Sequence, residues 1–248
     1  MTSLAMLRVK IFADGADLAS IEKLAADPLV QGFTTNPTLM RASGVDDYVA
    51  FAKRALRATA GKPISLEVIA DDFATMEEEA RELASWGENV IVKIPITDTK
   101  GKPSTPLLDR LARGGVRVNA TALMTVDQVR TVGPVVAQAP RAFVSIFAGR
   151  IADSGRDPMP IMRSAAEALR PYPNVELIWA SPRELLNVFQ ADTVGCHVIT
   201  LTNDLLKKLP LIGKDLNEYS LETVRMFYDD ARKSGFTIPV REVATSRR

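Results

Sequence analysis

Short apolar or β-branched runs alternate eight times with longer amphipathic stretches along this chain. The apolar runs predict strands at Val9 to Phe12, Gln31 to Thr34, Ile64 to Ile69, Val90 to Pro95, Arg117 to Thr121, Ala142 to Phe147, Glu176 to Trp179 and His197 to Thr200. Between them, stretches rich in Ala, Glu, Arg and Leu predict helices at Leu18 to Ala26, Asp46 to Ala60, Ala74 to Trp86, Thr105 to Arg113, Val126 to Ala137, Met159 to Leu169, Glu184 to Gln190 and Asp204 to Leu209. A further amphipathic segment, Leu221 to Lys233, is expected to close the domain or pack on a neighbour. No Ser/Gly/Pro-rich linker interrupts the series. Eight unbroken β/α units predict an α/β fold of the closed (β/α)8 TIM-barrel kind: one domain over residues 1–248, with an additional C-terminal helix at about 219–234. A doubly wound sheet is the alternative, and the missing G-x-G-x-x-G counts against its dinucleotide-binding form.

Composition narrows the chemistry. The chain has 248 residues and a formal net charge of +1 from 31 basic and 30 acidic side chains, with no long block of one sign. Neither a nucleic-acid nor a membrane partner is expected. One cysteine, Cys196, excludes an internal disulfide, and Met1 to Lys10 holds no apolar stretch long enough for a signal peptide, so a cytoplasmic location is expected. Zinc sites need three or four converging ligands, and the single histidine, His197, beside Cys196 reads as core or barrel-rim packing. No metal is expected. G-x-S-x-G, C-x-x-C and G-x-x-x-x-G-K-[ST] are absent, so lysine, carboxylates and hydroxyls must carry any acid–base work.

Barrel chemistry sits at the C-terminal ends of the strands. Those ends are polar here: Asp14 after strand 1, Thr34-Thr35-Asn36-Pro37 after strand 2, Glu67 on strand 3, Lys93 on strand 4, Asn119 and Thr121 on strand 5, Ser145 and Phe147 then Arg150 on strand 6, Ser181 and Arg183 after strand 7, Thr200 and Thr202 after strand 8. Each has an ordinary reading. Asp14 can cap a helix, Thr34 to Asn36 can form a turn, Arg150 can belong to a surface ion pair, and Asp71 and Asp72 read as caps. Lys93 stands out because it lies inside an apolar strand. It must be paired, with Glu67 the natural partner, or be used chemically, since burial disfavours the ammonium form and a neutral amine attacks carbonyl carbon. Ser181-Pro182-Arg183-Glu184 reads as a cap followed by proline at the first helical position, so free amides, a hydroxyl and the Arg150 and Arg183 guanidinium groups would bind a phosphate monoester.

In combination these segments resemble the transaldolase family over almost the whole barrel. Gly32-Phe33-Thr34-Thr35-Asn36-Pro37-Thr38 is similar to its T-T-N-P segment, Val92-Lys93-Ile94-Pro95 to its K-[IV]-P segment, and Asn119-Ala120-Thr121 to its N-x-T element. Phe147-Ala148-Gly149-Arg150-Ile151-Ala152-Asp153 resembles F-x-G-R-I-x-D, and Ala180-Ser181-Pro182-Arg183 resembles A-S-x-R, with Pro182 where relatives usually have an aromatic. The resemblance implies that Lys93 forms a Schiff base, that Asp14 is the acid/base (chosen over Asp17 by its position after strand 1), and that Glu67 and Thr121 hold a catalytic water. It further implies that Thr34, Asn36, Asn119, Ser145 and Phe147 line the sugar site, and that Arg150, Ser181 and Arg183 hold a phosphate. Sugar phosphates would be the substrates, no cofactor is implied, and a homo-oligomer is expected because small relatives are often oligomers held by the last helix.

The implied reaction is transfer of a dihydroxyacetone unit from a ketose phosphate to an aldose phosphate, of the pentose phosphate pathway type. Two alternatives remain. Fructose-6-phosphate aldolases, similar in length, release dihydroxyacetone instead; they typically carry glutamine where this chain has Glu67 and tyrosine where it has Phe147. The other is a non-catalytic sugar-phosphate binder built on the same barrel.

Overall fold

The computed structural model describes residues 4–240 and divides the chain into two compact units, residues 4–210 and the segment from Leu211 onward. The first unit is a closed barrel of eight parallel strands in sequential order, as predicted: β1 (Lys10–Asp14), β2 (Val30–Thr34), β3 (Ile64–Glu67), β4 (Val90–Pro95), β5 (Val118–Leu123), β6 (Ala142–Ile146), β7 (Val175–Trp179) and β8 (Val198–Thr202). The helices around it are α1 (Leu18–Ala25), α2 (Pro37–Ala42), α3 (Tyr48–Ala58), α4 (Phe73–Ser85), α5 (Thr105–Arg113), α6 (Val126–Val136), α7 (Ala148–Asp153), α8 (Met159–Leu169), α9 (Leu186–Thr193) and α10 (Asn203–Leu206). The strands read as near-continuous apolar runs because both faces are buried, one in the barrel and one under helices.

Inside the barrel the lower layers are apolar. Phe12, Ile91, Phe143, Ile178, Ala180 and Val198 pack together, with Phe147 partly buried against them. Phe12 meets Phe143 edge to face at 5.8 Å between centroids, a geometry worth about 0.5–1.5 kcal/mol beyond simple burial. Gly32 makes room for this ring, since a Cβ there would lie 2.5 Å from Phe12 Cζ. Polar residues begin one layer higher, which places the cavity floor at the C-terminal ends of the strands.

Several boundaries differ from the sequence reading. β1 and β8 each run two residues further than predicted, so Asp14 and Thr202 are strand residues paired with each other, and Asp14 is paired also with Thr34. β5 extends to Leu123 through an irregularity in its pairing with β6 between Ala120 and Leu123. The six-residue helices α2 and α7 escape the sequence reading because they are too short to show a 3.6-residue period. Asp72 caps α4 as expected, whereas Asp71 instead accepts hydrogen bonds from the backbone and side chain of Thr99 in the next β/α loop.

In the second unit, α11 (Leu216–Lys233) begins five residues before the predicted Leu221, because Asp215 caps it by accepting from the amides of Asn217 and Glu218. Lys214 pairs with Glu222 and lies over the Tyr219 ring, tying the first turns together. Leu221, Val224, Phe227 and Tyr228 of this helix are exposed. Among the described residues no helix is long and apolar enough to cross a membrane.

Candidate active site

A cavity of about 540 Å³ opens at the C-terminal end of the barrel. It brings together Asp14, Thr34, Asn36, Glu67, Lys93, Thr121, Ser145, Phe147, Arg150, Ser181 and Arg183, with Thr200 and Thr202 also on its wall. Eleven of the twelve residues to which the family resemblance assigns a role therefore share one space. The twelfth, Asn119, does not line it. Asn119 is fully buried, donating to Ser65 Oγ at 3.1 Å and accepting from Ser145 Oγ at 2.8 Å, so it orients a wall residue from beneath.

Strand register creates the reactive pair. Glu67 and Lys93 are directly paired on β3 and β4, and adjacent strands lie about 4.8 Å apart with side chains on the same face. Lys93 is 6% exposed, and its Nζ lies 3.0 Å from Glu67 Oε2 while donating to the Thr35 carbonyl at 3.1 Å. The Glu67 partner expected for a lysine in this apolar strand is thus present. Glu67 is held from outside the barrel, where Tyr48, the first residue of α3, donates its hydroxyl to the Glu67 carbonyl at 2.8 Å.

Asp14 accepts from Thr34 Oγ1 at 2.7 Å. Burial holds its carboxyl above the ordinary carboxylate range, against the opposing effects of the Lys93 charge and the Thr34 hydrogen bond. Asp17 is spent elsewhere: it caps α1, accepting from the amide and hydroxyl of Ser20, and those bonds lower its pKa. Asn36 has a double position. Its side-chain oxygen caps α2 by accepting from the Leu39 amide at 2.9 Å, and the residue lines the cavity.

Two backbone irregularities shape the wall. Ala122 (φ 65°) and Ser181 (φ 60°) occupy the left-handed region, where a non-glycine residue costs on the order of 1–3 kcal/mol, and both line the cavity. The first follows Thr121, whose Oγ1 is buried and has no hydrogen-bond partner among the described residues. Thr121 borders the cavity while this oxygen is itself buried, and leaving it unpaired costs about 1–3 kcal/mol, so a partner reaching it from the cavity would be favoured.

The phosphate rim differs from its sequence reading. Ser181 does not cap a helix and Pro182 is not a first helical residue: α9 starts at Leu186, and a left-handed Ser181 lacks the extended backbone a cap requires. The amides of Arg183 and Glu184 are not free either, since both donate to Asn187 Oδ1. Arg183 forms a fork on Asp153, with Nη2 at 2.5 Å, and gives Nη1 to the carbonyl and hydroxyl of Ser181. Hydrogen bonds from Arg183 hold the Asp153 carboxyl below its ordinary range. Arg150 forms no ion pair among the described residues, and its guanidinium lies 5.4 Å from the Phe147 ring centroid. The groups at this rim are therefore the Arg150 guanidinium, the Ser181 hydroxyl and an Arg183 guanidinium already engaged by Asp153 and Ser181.

Gly149 explains how the first turn of α7 approaches the loop after β7 so closely here. A Cβ on it would sit 1.6 Å from the Ser181 carbonyl oxygen, a backbone atom that cannot move independently. Gly149→Ala is expected to cost about 3 kcal/mol, lowering the thermal midpoint by roughly 10 °C, and to displace Ser181 and Arg183. A melting curve within 2 °C of the parent, as an order-of-magnitude criterion, would contradict that close approach.

Among the described residues no group of three or more His, Cys, Asp and Glu is placed to hold a metal. His197 lies just before β8 at the other end of the barrel, where its Nδ1 accepts from the Leu177 amide at 3.0 Å; burial lowers its pKa.

Comparison with known proteins gives the family and the fold. The sequence model of the Transaldolase/Fructose-6-phosphate aldolase family matches residues 11–238. A "Probable transaldolase" of Methanococcus maripaludis is 34% identical over 215 residues, covering 85% of this chain and 95% of the relative. Another, from a Thermoanaerobacter species, is 32% identical over 231 residues, covering 93% and 100%. Among solved structures, dihydrodipicolinate synthase from Thermotoga maritima superposes with a TM-score of 0.58 at 12% identity, covering 92% of this chain and 81% of that one. At that identity the likeness shows the barrel fold alone.

Proposed function

The chain belongs to the Transaldolase/Fructose-6-phosphate aldolase family and is an enzyme acting on aldehyde or ketone groups, and from that premise we propose that it is a transaldolase working through a Schiff base on Lys93. The observation that carries the reading is the buried Lys93 amine, 3.0 Å from Glu67 in a cavity that also holds Asp14 and two arginines. A structural ion pair alone would not need to face an open cavity of substrate size.

In this reading a ketose phosphate such as fructose 6-phosphate or sedoheptulose 7-phosphate enters with its phosphate at Arg150, Ser181 and Arg183. Lys93 Nζ bonds to the C2 carbonyl carbon, and the oxygen departs as water between Glu67 and Thr121 Oγ1, leaving an iminium ion. Asp14 accepts the C4 hydroxyl proton as the C3–C4 bond breaks, and the bonding electrons flow into the iminium to give an enamine. The aldehyde product leaves. An aldose phosphate such as erythrose 4-phosphate or glyceraldehyde 3-phosphate takes the same phosphate site, and the enamine carbon attacks its carbonyl while Asp14 returns the proton. Thr34, Asn36 and Ser145 contact the sugar chain, and hydrolysis of the second imine restores Lys93.

Glu67 and Phe147 favour transfer over release. Phe147 brings no hydroxyl to the water beside the covalent intermediate, so the enamine has a weaker route to protonation and loss as free dihydroxyacetone. With fructose 6-phosphate alone, product formation is expected to stall near one equivalent per site. Erythrose 4-phosphate should raise the steady rate at least about tenfold, a barrier difference of about 1.4 kcal/mol. Equal rates with and without acceptor would instead identify an aldolase.

A further inference from the structure

The cavity wall contains a chain of three oxygens that the reaction above does not use in full. Thr200 Oγ1 lies 2.5 Å from Thr34 Oγ1, and Thr34 Oγ1 donates to Asp14 Oδ1 at 2.7 Å. The three residues come from β8, β2 and β1, and both threonines are buried in the wall. Backbone register builds the arrangement, because Asp14 is paired with Thr34 on one side while Phe12, two residues earlier, is paired with Thr200 on the other.

A threonine hydroxyl owns one hydrogen. While Asp14 is ionised it has none to give, so Thr34 spends its hydrogen on the carboxylate and must accept from Thr200. The polarity Thr200 to Thr34 to Asp14 follows by elimination. Once Asp14 takes up a proton, its carboxyl can donate to Thr34, and the chain must then reverse, leaving the Thr200 hydrogen to find another acceptor. The oriented chain therefore favours the charged carboxylate over the protonated one.

We propose that Thr200 is a positioning residue which, by fixing the direction of the Thr34 hydroxyl, holds Asp14 in its charged, proton-accepting form. The assignment of Asp14 as the acid/base rests on the function proposed above; the hydroxyl chain itself does not. The other charged groups facing Asp14 are Lys93, which favours its ionised form, and Glu67, which opposes it. They come from β4 and β3, leaving β2 and β8, the two strands paired with β1, to supply the hydrogen-bonded support. Burial works against that support, which is why a second donor behind Thr34 matters.

The test is the pair Thr200→Val and Thr200→Ser, read by the acidic limb of the kcat/KM profile and by carbon NMR titration of the Asp14 carboxyl in substrate-free protein, assigned with Asp14→Asn. The valine variant is expected to move both titrations up by about half a pH unit, because it removes the cooperative donor, and the serine variant to restore them. Thr34→Val, which removes the direct donor, should move them further, and Thr200→Ala provides the test if Thr200→Val fails to fold. A carboxyl titration that shifts while the kinetic limb stays put supports the hydroxyl chain and overturns Asp14 as the kinetic base. A carboxyl titration unchanged in folded Thr200→Val overturns the proposal, even if overall activity falls or Thr34→Val shifts it.

Discussion

Lys93→Met is expected to abolish turnover, with a loss of at least about 10⁴-fold in kcat, because methionine matches the lysine's length and apolar stem but offers no nucleophile. The fold should survive. Breaking a fully buried pair costs about 3–5 kcal/mol by leaving an uncompensated charge. Here, however, the Glu67 side chain retains 15% exposure and lines the open cavity, so it can be hydrated. Circular dichroism and melting curves close to the parent, together with absent activity, are the expected pattern. Retention of even a tenth of the parent rate, about 1.4 kcal/mol of barrier, would require another nucleophile.

Asp14→Asn should separate activity from stability. General acid–base catalysis contributes about 10²–10⁴-fold, so a loss in that range is expected for cleavage and transfer alike. Stability is expected to move the other way. The folded-state pKa of Asp14 lies above its ordinary value, with burial the largest cause, so its favourable contribution is complete below the unfolded pKa and is lost as pH rises through the folded one. At neutral pH the ionised Asp14 is a net cost to folding. Asparagine removes that cost while still accepting the Thr34 hydrogen bond. The variant should therefore melt higher than the parent at neutral pH, and the difference should disappear on acidification below the ordinary carboxylate range. A variant that melts lower at neutral pH would contradict the balance of burial over the Lys93 attraction.

Much of this arrangement could be read from residue types. A lysine inside Val90 to Pro95 is conspicuous because parallel strands are apolar on both faces, and the polar strand ends cluster as barrel geometry requires. What escaped reading depends on backbone direction and long-range partners. The Thr35 carbonyl that receives the Lys93 hydrogen bond is a backbone atom, common to every residue type. Tyr48 reaches Glu67 from a helix 19 residues away, and nothing in its local sequence marks that contact. The partner of Arg183 was within sight, since Asp153 closes the segment that carries Arg150, but their pairing spans 30 residues. The Ser181-Pro182 pattern misled because its local signature is that of a helix start, whereas the close approach of Gly149 to the Ser181 carbonyl accompanies a left-handed turn. Asn119 alternates correctly with Thr121, yet it lies one layer too deep to line the cavity.

The proposed mechanism depends on a covalent bond at one nitrogen. Borohydride reduction of the protein in the presence of fructose 6-phosphate, followed by peptide mass mapping, is expected to show a reduced sugar adduct on Lys93 and to inactivate the enzyme in proportion to labelling. Full activity after reduction, with Lys93 unmodified while substrate is being turned over, would contradict the Schiff-base mechanism outright.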